Sequence, residues 1–532
     1  MPTATELLKR GRKDQIWVKY CGFLDLEMDE FMEIQERLLM EQVALIHNSE
    51  IGKEFIKQVP KSMDDFRDQV PITSYEDYEK HFDIQREDVL PQDAYLWAHT
   101  SGRSGKFKWI PYTKQAYLRL GERALAGMIL AAARYKGDVR FDDKDTLVYN
   151  SPPSPYISGV TLKALAEHFD FNFVPPLDKT EDMEFNERIL MGFETGLRTG
   201  IDVLGSLSVV LVKMGESFAE GANQTKFNTN LLHPKTMFRL LRGYIRSKIE
   251  GRGMLPKDLW TLKAIPTGGM DTSIYRDLIT HYWGQTPHEQ YGSTEEGAIA
   301  TQAWNKKGMI FFPDAAFLEF IPEEEWAKWR IDSTYKPNTV LLSEVEPGKR
   351  YEIVITNLFG KPLIRYRMHD LIKFTALEDK ETGIKLPQME IVGRSAAFID
   401  LAGFTGLIDE KLVWQAIVNT QIKFVDWSAR KEVENRKPII NLYFEPVETA
   451  DPEDVQFKVR EHLRKLNPFY ADYEDMIDSK ALKVTILEPG SFQKYQQAKV
   501  AQGADLAHLK PPHMNASDEN IQLLLGSFNS SK

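Results

Sequence analysis

Strand-like and helix-like segments alternate along the chain, and this alternation limits the fold more than any other feature of the sequence. A strand–turn–strand pattern spans residues 90–111, and a helical pattern follows over residues 114–134. Short apolar runs at Asp145–Tyr149 and Phe171–Val174 predict two further strands, with a helix over Thr161–His168 between them. Because strands that alternate with helices pair into a sheet covered by those helices, the pattern predicts an α/β architecture.

The pattern changes after residue 308, where strands dominate, and again beyond Gly393. The β-rich region contains four predicted strands, at Met309–Phe312, Ala316–Ile321, Tyr351–Thr356 and Leu363–Met368. Past Gly393, a strand at Ile439–Phe444, a helix at Pro452–Leu466 and a strand at Leu482–Leu487 indicate a small α+β unit. A chain of 532 residues is too long for one core. We therefore expect a large N-terminal domain over residues 1–393 and a smaller C-terminal domain over residues 394–532.

Composition and charge exclude several classes of protein. The chain has 67 Lys and Arg against 78 Asp and Glu, a formal charge of -11, which disfavours broad binding to nucleic acid or to an anionic membrane. Cys21 is the only cysteine, so no disulfide forms within the chain, and we expect a small buried residue there. The most apolar stretches, Gly127–Ala133 and Val203–Met214, are far shorter than the roughly 20 residues of a membrane span. We expect a cytoplasmic protein that binds neither nucleic acid nor membrane.

A basic stripe on the helix that begins at Pro234 allows two interpretations. Arg239, Arg242 and Arg246 recur on one helical face, as they would in a site for nucleic acid or phosphate. The alternative is a solvated helix face, which the acidic chain and the lack of interleaved aromatic residues favour. Strongly salt-dependent binding of DNA or RNA would support the first interpretation.

The most informative segment is a turn rich in glycine, hydroxyl groups and lysine at residues 100–108. Glycines let backbone N–H groups approach phosphate oxygens, hydroxyls add donors, and lysine adds positive charge. The spacing does not fit a P-loop, because only two residues separate Gly102 from Gly105 and no Ser or Thr follows Lys106. The turn by itself therefore indicates either a phosphate site or a structural turn with surface lysines.

Three further segments follow this turn in a fixed order: Tyr291–Glu295, Arg365–Asp370 and Gly393-Arg394. With the glycine-rich turn, they resemble the ordered motifs of the adenylate-forming ligase superfamily, whose members carry a TSGTTGxPK loop before a YGxTE motif. Within that superfamily, the chain is most similar to the Gretchen Hagen acyl-acid-amido synthetases and their bacterial relatives. The group-level similarity includes the segment 70–77, the strand 317–322 and the C-terminal segment 489–512.

The resemblance implies a role for each residue of the first two motifs. The β- and γ-phosphates of ATP would be held by the turn, with Lys108 nearby, through Thr100, Ser101, Gly102, Ser104 and Gly105. Glu295 would hold Mg²⁺, a hard cation that takes carboxylate and phosphate oxygens, and Thr294 would contact the α-phosphate. Tyr291 and Gly292 would line the adenine, and Ser293 completes this nucleotide-binding segment.

The later motifs carry the remaining implied roles and two departures from the family pattern. Asp370 would accept the ribose hydroxyls, and Arg394 would lie at the ribose or at the hinge between the domains. Lys510 is either the mobile lysine of the small domain, which stabilises charge during adenylation, or an ordinary surface lysine. Arg103 replaces a threonine and could add phosphate affinity, and His369 replaces a glycine and is expected to be a packing residue.

The resemblance implies an enzyme that activates a small carboxylic acid with ATP and Mg²⁺ and then transfers the acyl group. Plant members pass it to an amino acid to form an amide, whereas nearby relatives pass it to coenzyme A to form a thioester. An interpretation from another class is a catalytically silent nucleotide-binding scaffold, but a scaffold does not need the metal ligand Glu295. The family motif assigns no direct role to Glu296, which suggests that position as the control for mutagenesis of Glu295.

Overall fold

The computed structural model describes residues 2–99, 108–183, 185–221, 233–268, 272–331, 334–394, 398–399, 401, 408–434, 437–468, 470–471, 474, 479–501 and 513–526. Contacts between backbone atoms divide the chain into two compact units. Within the described ranges, the larger unit comprises the residues up to 368 together with 372–391. The smaller unit comprises 369–371 and the residues from 392 onwards.

The α-helices of the larger unit are α1 (Ala4–Lys9), α2 (Lys13–Cys21), α3 (Met28–Ile46), α4 (Glu50–Phe55), α5 (Met63–Gln69), α6 (Glu79–Phe82), α7 (Lys114–Ala132), α8 (Ile157–Ala166), α9 (Phe185–Thr199), α10 (Ser208–Gly221), α11 (Pro234–Ile249), α12 (Pro256–Leu259), α13 (Thr272–Trp283) and α14 (Glu323–Ile331). The helices of the smaller unit are α15 (Glu410–Asn419), α16 (Pro452–Leu466), α17 (Ser491–Ala501) and α18 (Asp518–Leu524). In the part of the chain that the structure describes, no helix combines the length and apolar composition needed to cross a membrane.

The first thirteen described strands are β1 (Leu96–His99), β2 (Trp109–Tyr112), β3 (Thr146–Tyr149), β4 (Asn172–Val174), β5 (Val203–Leu207), β6 (Pro266–Gly268), β7 (His288–Ser293), β8 (Gly297–Gln302), β9 (Met309–Phe311), β10 (Ala316–Pro322), β11 (Arg350–Asn357), β12 (Tyr366–Ala376) and β13 (Gln388–Arg394). β1 and β2 form an antiparallel pair of their own. The other eleven strands form one sheet in the order β10-β11-β12-β13-β9-β8-β7-β6-β5-β3-β4.

At β7 this sheet changes from parallel to antiparallel strand pairing. From β4 through β3, β5 and β6 to β7, neighbouring strands are parallel, and helices lie between them in the sequence. From β7 through β8 to β9, and between β10 and β11, neighbours are antiparallel and joined more directly. The predicted α/β architecture, with N-terminal and C-terminal domains, is confirmed.

Helix α7 packs closely against the sheet because small residues line its buried face. The helix begins at the N-cap Thr113, whose hydroxyl accepts a hydrogen bond from the backbone N–H of Ala116. A Cβ added at Gly121 would lie 2.2 Å from the carbonyl oxygen of Ala164 in α8. A Cβ added at Gly127 would lie 1.5 Å from the side-chain amide nitrogen of Gln290 in β7. These two glycines therefore let α7 approach α8 and the strand that leads into the Tyr291 motif.

The smaller unit contains the strands β14 (Phe424–Glu434), β15 (Lys437–Pro446) and β16 (Leu482–Ile486). β14 is antiparallel to β15, and β15 is parallel to β16. Its core includes Trp427 and Phe444, both fully buried, with α15 and α16 contributing apolar side chains. The predicted helix Pro452–Leu466 is confirmed, but β14 has no counterpart in the sequence prediction because charged residues interrupt its alternation.

Two other expectations from the sequence, for Cys21 and for the basic helix, can be compared with the structure. Cys21 is fully buried, as expected, and burial raises the pKa of its thiol. On the basic helix α11, Arg242 and Arg246 are exposed, whereas the Arg239 guanidinium donates to the carbonyl oxygen of Leu197 at 2.6 Å. Arg239 therefore forms an internal contact, while the other two arginines face solvent.

Candidate active site

The predicted phosphate-binding turn is flanked by the hairpin strands β1 and β2. The turn residues named for phosphate, Thr100, Ser101, Gly102, Ser104 and Gly105, lie outside the described residues. On either side of the turn, His99 pairs with Trp109 in the antiparallel register. The ammonium of Lys108 lies 4.8 Å from the centre of the Tyr75 ring. The strand–turn–strand arrangement predicted here is thus present in its two strands.

The Tyr291 motif forms the end of β7 and the tight turn into β8. Ser293 pairs with Gly297, so the turn consists of Thr294, Glu295 and Glu296. Gly297 has a φ of 79°, the left-handed region that favours glycine. A Cβ added at Gly292 would lie 2.8 Å from the carbonyl oxygen of Gly297. The spacing of the two glycines is therefore a steric requirement of this hairpin.

Side chains from other parts of the larger unit hold the carbonyl groups of the turn. The hydroxyl of Tyr112, the last residue of β2, donates to the carbonyl oxygen of Thr294 at 2.8 Å. The carbonyl oxygen of Glu295 accepts from the Lys361 ammonium at 2.6 Å and from the side-chain amide of Asn357 at 3.1 Å. A turn whose carbonyl groups are bound in this way has a fixed peptide orientation.

The carboxylate of Glu296 is buried beneath the turn and surrounded by cations. It accepts from Arg123 of α7 at 2.9 Å and from Lys361 at 3.0 Å, and the side-chain amide of Asn357 donates to it at 2.6 Å. Burial lowers the pKa of Lys361 to about 8, although the charge of Glu296 opposes that shift. The expectation that Glu296 serves as a neutral control is therefore wrong, because its substitution removes the charge that balances two buried cations.

Glu295, in contrast, is only partly buried, and the Tyr366 hydroxyl lies 3.4 Å from one of its carboxylate oxygens. Burial and the charge of Glu295 raise the pKa of Tyr366, so the hydroxyl remains a donor at neutral pH. Among the described residues, no group of three or more His, Cys, Asp or Glu side chains is placed to hold a metal ion. A single carboxylate suits Mg²⁺, which is commonly held by one or two carboxylates together with substrate phosphates.

Tyr366 belongs to the Arg365–Asp370 motif on β12. Asp370 is buried on this strand and falls within the residues 369–371 that group with the smaller unit. His369 has a φ of 57°, which explains why glycine is usual at this motif position. The preceding Arg365 donates to the carbonyl oxygen of Val70 at 2.6 Å, so the segment 70–77 packs against the motif.

The remaining predicted site residues belong to other parts of the chain. Arg394 is the last residue of β13, and its side chain lies outside the described residues, as does the whole of Lys510. Described residues resume at His513, whose imidazole lies between the carboxylates of Glu410 at 2.6 Å and Asp426 at 2.7 Å. The roles of Lys510 and Arg394 in the site therefore stay predictions.

Sequence reasoning missed four side chains that hold the turn, namely Tyr112, Arg123, Asn357 and Lys361, and it assigned no role to Tyr366 within the Arg365–Asp370 motif. Only Lys361 offered a signal, because a lysine within the apolar run 358–364 needs a buried partner. Tyr112, Arg123 and Asn357 resemble ordinary residues of strands and helices until their partners are known.

Three models of one protein family match this chain. The GH3 family N-terminal domain matches residues 21–167, the central domain residues 309–394 and the C-terminal domain residues 410–519. The three matches follow one another in order and together cover more than half of the chain.

The curated relatives are distant and matched in part. The indole-3-acetic acid-amido synthetase GH3.3 of Arabidopsis thaliana is 24% identical over 284 residues, 49% of this chain and 44% of that protein. The jasmonoyl–L-amino acid synthetase JAR4 of Nicotiana attenuata is 25% identical over 264 residues, 47% of this chain and 43% of that protein. The matched region therefore spans less than half the length of each of these relatives.

Solved structures extend the likeness in fold to nearly the whole chain. The AtGH3.15 acyl acid amido synthetase in complex with 2,4-DB superposes with a TM-score of 0.69 at 17% identity, over 97% of this chain and 96% of that one. A 2-hydroxyisobutyryl-CoA ligase in complex with R3-HIB-AMP has a TM-score of 0.59 at 13% identity, over 98% and 93% of the two chains. With the same fold and with all three domain models matched in sequence order, the chain belongs to the GH3 family.

Proposed function

We propose that this protein activates a carboxylic acid with ATP to form an acyl-adenylate and then transfers the acyl group to an amino acid. One observation carries the proposal. Tyr366 of the β12 motif lies 3.4 Å from the Glu295 carboxylate, and Tyr112, at the end of β2 away from the predicted phosphate turn, donates to the carbonyl oxygen of Thr294. Two motif residues that lie 71 positions apart in sequence, Glu295 and Tyr366, are thereby brought together at one carboxylate.

In the first half-reaction, a carboxylate oxygen of the acid attacks the α-phosphorus of ATP. The new bond joins that oxygen to phosphorus, the bond to the β-phosphate oxygen breaks, and pyrophosphate leaves with its electron pair. Negative charge accumulates on the phosphoryl oxygens, so fixed donors and cations aimed at them lower the barrier. Bound Mg²⁺ supplies charge neutralisation for the phosphates.

In this proposal, each motif residue has a defined task. Glu295 holds the metal through its carboxylate, and Thr294 contacts the α-phosphate. The residues of the turn 100–105, with Lys108, bind the β- and γ-phosphates, while Asp370 accepts the ribose hydroxyls. Lys510 of the C-terminal segment has the task of stabilising charge during adenylation.

In the second half-reaction, the amine of an amino acid attacks the acyl carbon, the carbon–oxygen bond to AMP breaks, and the amine nitrogen loses a proton. The named activities of the GH3.3 and JAR4 relatives support an amide product. The likeness in fold to a 2-hydroxyisobutyryl-CoA ligase supports coenzyme A as the alternative acceptor. The two acceptors give chemically distinct products, an amide and a thioester.

The decisive experiment measures exchange of labelled pyrophosphate into ATP with a panel of aryl, indolyl and fatty acids. We expect exchange that requires both an acid of the panel and Mg²⁺. Nucleotide binding without exchange for any acid, in folded protein, would instead identify a silent nucleotide-binding scaffold. With an active acid in hand, mass spectrometry of reactions supplied with amino acids or with coenzyme A distinguishes the amide from the thioester.

A further inference from the structure

Three charged side chains at the Thr294–Glu296 turn are buried. The side chains of Lys361 and Glu296 are 0% and 2% exposed, and that of Arg123 is 4% exposed. Burying charged groups costs more free energy than an apolar cluster of the same volume, so such groups add little to stability by themselves. Their presence beneath a proposed metal ligand calls for a different explanation.

The charges are arranged to hold the main chain of the turn. Lys361 donates at once to the carboxylate of Glu296 and to the carbonyl oxygen of Glu295, and its ammonium lies 4.0 Å from the centre of the Tyr112 ring. Its own backbone is held by Gln42 of α3, whose side chain accepts from the N–H of Gly360 and donates to the carbonyl oxygen of Lys361. A rigid helix thus fixes Lys361, and Lys361 fixes the turn.

We propose that Lys361 is a positioning residue for Glu295. By holding the carbonyl oxygen of Glu295, Lys361 orients the Glu295 carboxylate, while Glu296 balances the buried charge. A fixed carbonyl sets the peptide plane and hence the direction of the Glu295 side chain. Tyr366 then restrains the far end of that side chain at 3.4 Å. A displacement of about 1 Å in such a group can reduce a rate by about 100-fold.

The test replaces Lys361 by methionine, which keeps the length and apolar stem of the side chain but removes the ammonium. The fold should tolerate this change because Arg123 still neutralises Glu296. We expect amide hydrogen exchange in residues 294–297 to become at least about 10-fold faster, with the rest of the sheet unchanged. Under the proposed function, we also expect kcat for exchange to fall by about 10- to 100-fold and the half-saturating Mg²⁺ concentration to rise, with KM for the acid unchanged.

The matched control is Lys306→Met. Lys306 is partly buried and, like Lys361, donates to a main-chain carbonyl, that of Thr286 at 2.7 Å, but it follows the far end of β8. This variant should leave both the exchange of residues 294–297 and the Mg²⁺ dependence at wild-type values. If Lys361→Met does not fold, Tyr112→Phe removes the donor to Thr294 alone and should shift the same two quantities by a smaller factor.

The activity readout rests on the proposed function, whereas the hydrogen-exchange readout does not. A wild-type protein without acid-dependent exchange would overturn the proposed function only. Wild-type exchange rates at residues 294–297 in folded Lys361→Met would overturn the positioning role only. An unchanged Mg²⁺ dependence in an active Lys361→Met variant would also overturn it, because a purely structural lysine predicts that result.

Discussion

Two clusters of buried charge in this molecule have opposite compositions. The hairpin cluster in the larger unit consists of Glu296, Arg123 and Lys361, one carboxylate between two cations. The His513 cluster in the smaller unit consists of His513, Glu410 and Asp426, one imidazole between two carboxylates, and its side chains are 17, 35 and 20% exposed.

The difference in burial determines how much stability is lost when the central group of each cluster is removed. Removing the central carboxylate of the hairpin cluster leaves two cations almost fully shielded from water, where unpaired charge is costly. Removing the central imidazole of the His513 cluster leaves two carboxylates that water can partly solvate. Charge networks of similar size therefore differ in their contribution to stability. Three predictions test the comparison.

The largest effect is expected for Glu296→Gln. The amide keeps the size of the side chain and can still accept a hydrogen bond, but it removes the carboxylate that pairs with Lys361 and leaves Arg123 with the more distant Asp314, at 4.0 Å. We expect the free energy of unfolding to fall by about 3–5 kcal/mol, measured by urea denaturation. Glu381→Gln, an exposed carboxylate paired with Lys307, should change it by less than about 0.5 kcal/mol. A loss below about 1 kcal/mol at Glu296 would mean that water reaches the hairpin cluster.

The neighbouring substitution Glu295→Gln should reduce activity strongly and stability only a little. Its carboxylate is partly exposed and acts on the buried Lys361 more weakly than Glu296 does, so unfolding should change little, whereas the metal loses its charged ligand. We expect adenylation to fall by about 100-fold, roughly 2.7 kcal/mol in activation free energy, with much less change in ATP affinity. Pyrophosphate exchange and nucleotide titration measure the two quantities, and Glu381→Gln again serves as the control. Equal losses of stability at Glu295 and Glu296 would contradict the assignment of separate roles.

The smallest effect is expected in the His513 cluster, and it depends on pH. Burial alone lowers the pKa of His513, but hydrogen bonds and charge from Asp426, and then from Glu410, outweigh it and raise the pKa to about 10. A folded-state pKa above the unfolded value of 6.5 stabilises the folded state fully below pH 6.5 and loses that contribution as pH rises towards 10. We expect about 1–2 kcal/mol from this cluster near pH 6, allowing for partial exposure.

Local hydrogen exchange can measure that contribution. The N–H of Ala429 donates to the carbonyl oxygen of His513, and the N–H of Asn515 donates to that of Ala429. After correction for intrinsic rates, the opening free energy at these two amides should decline between pH 6.5 and 10. His513→Gln should abolish the decline, and His462→Gln in the same unit should retain it. A decline that persists in His513→Gln would assign the pH dependence to another group.

Several helices and strands could be predicted from the sequence, because they follow from local periodicity. The helix Pro452–Leu466 and the strand Ala316–Ile321 agree with the structure to within a residue. The strand predicted at Leu363–Met368 begins only at Tyr366, because Arg365 has a φ of 41° and its guanidinium binds the buried Glu319. A local pattern does not reveal that pairing, since the two residues are 46 apart in sequence.

The turn motif itself was determined by the sequence, because Gly292 and Gly297 satisfy steric requirements that act over six residues. The distinction between Glu295 and Glu296 was decided only by tertiary structure. Adjacent carboxylates of identical chemistry have different environments because Arg123 and Lys361, 173 and 65 residues from Glu296, converge on one of them. Burial and charge balance are properties of such distant contacts, so the sequence alone could name the motif but not the residue that anchors it.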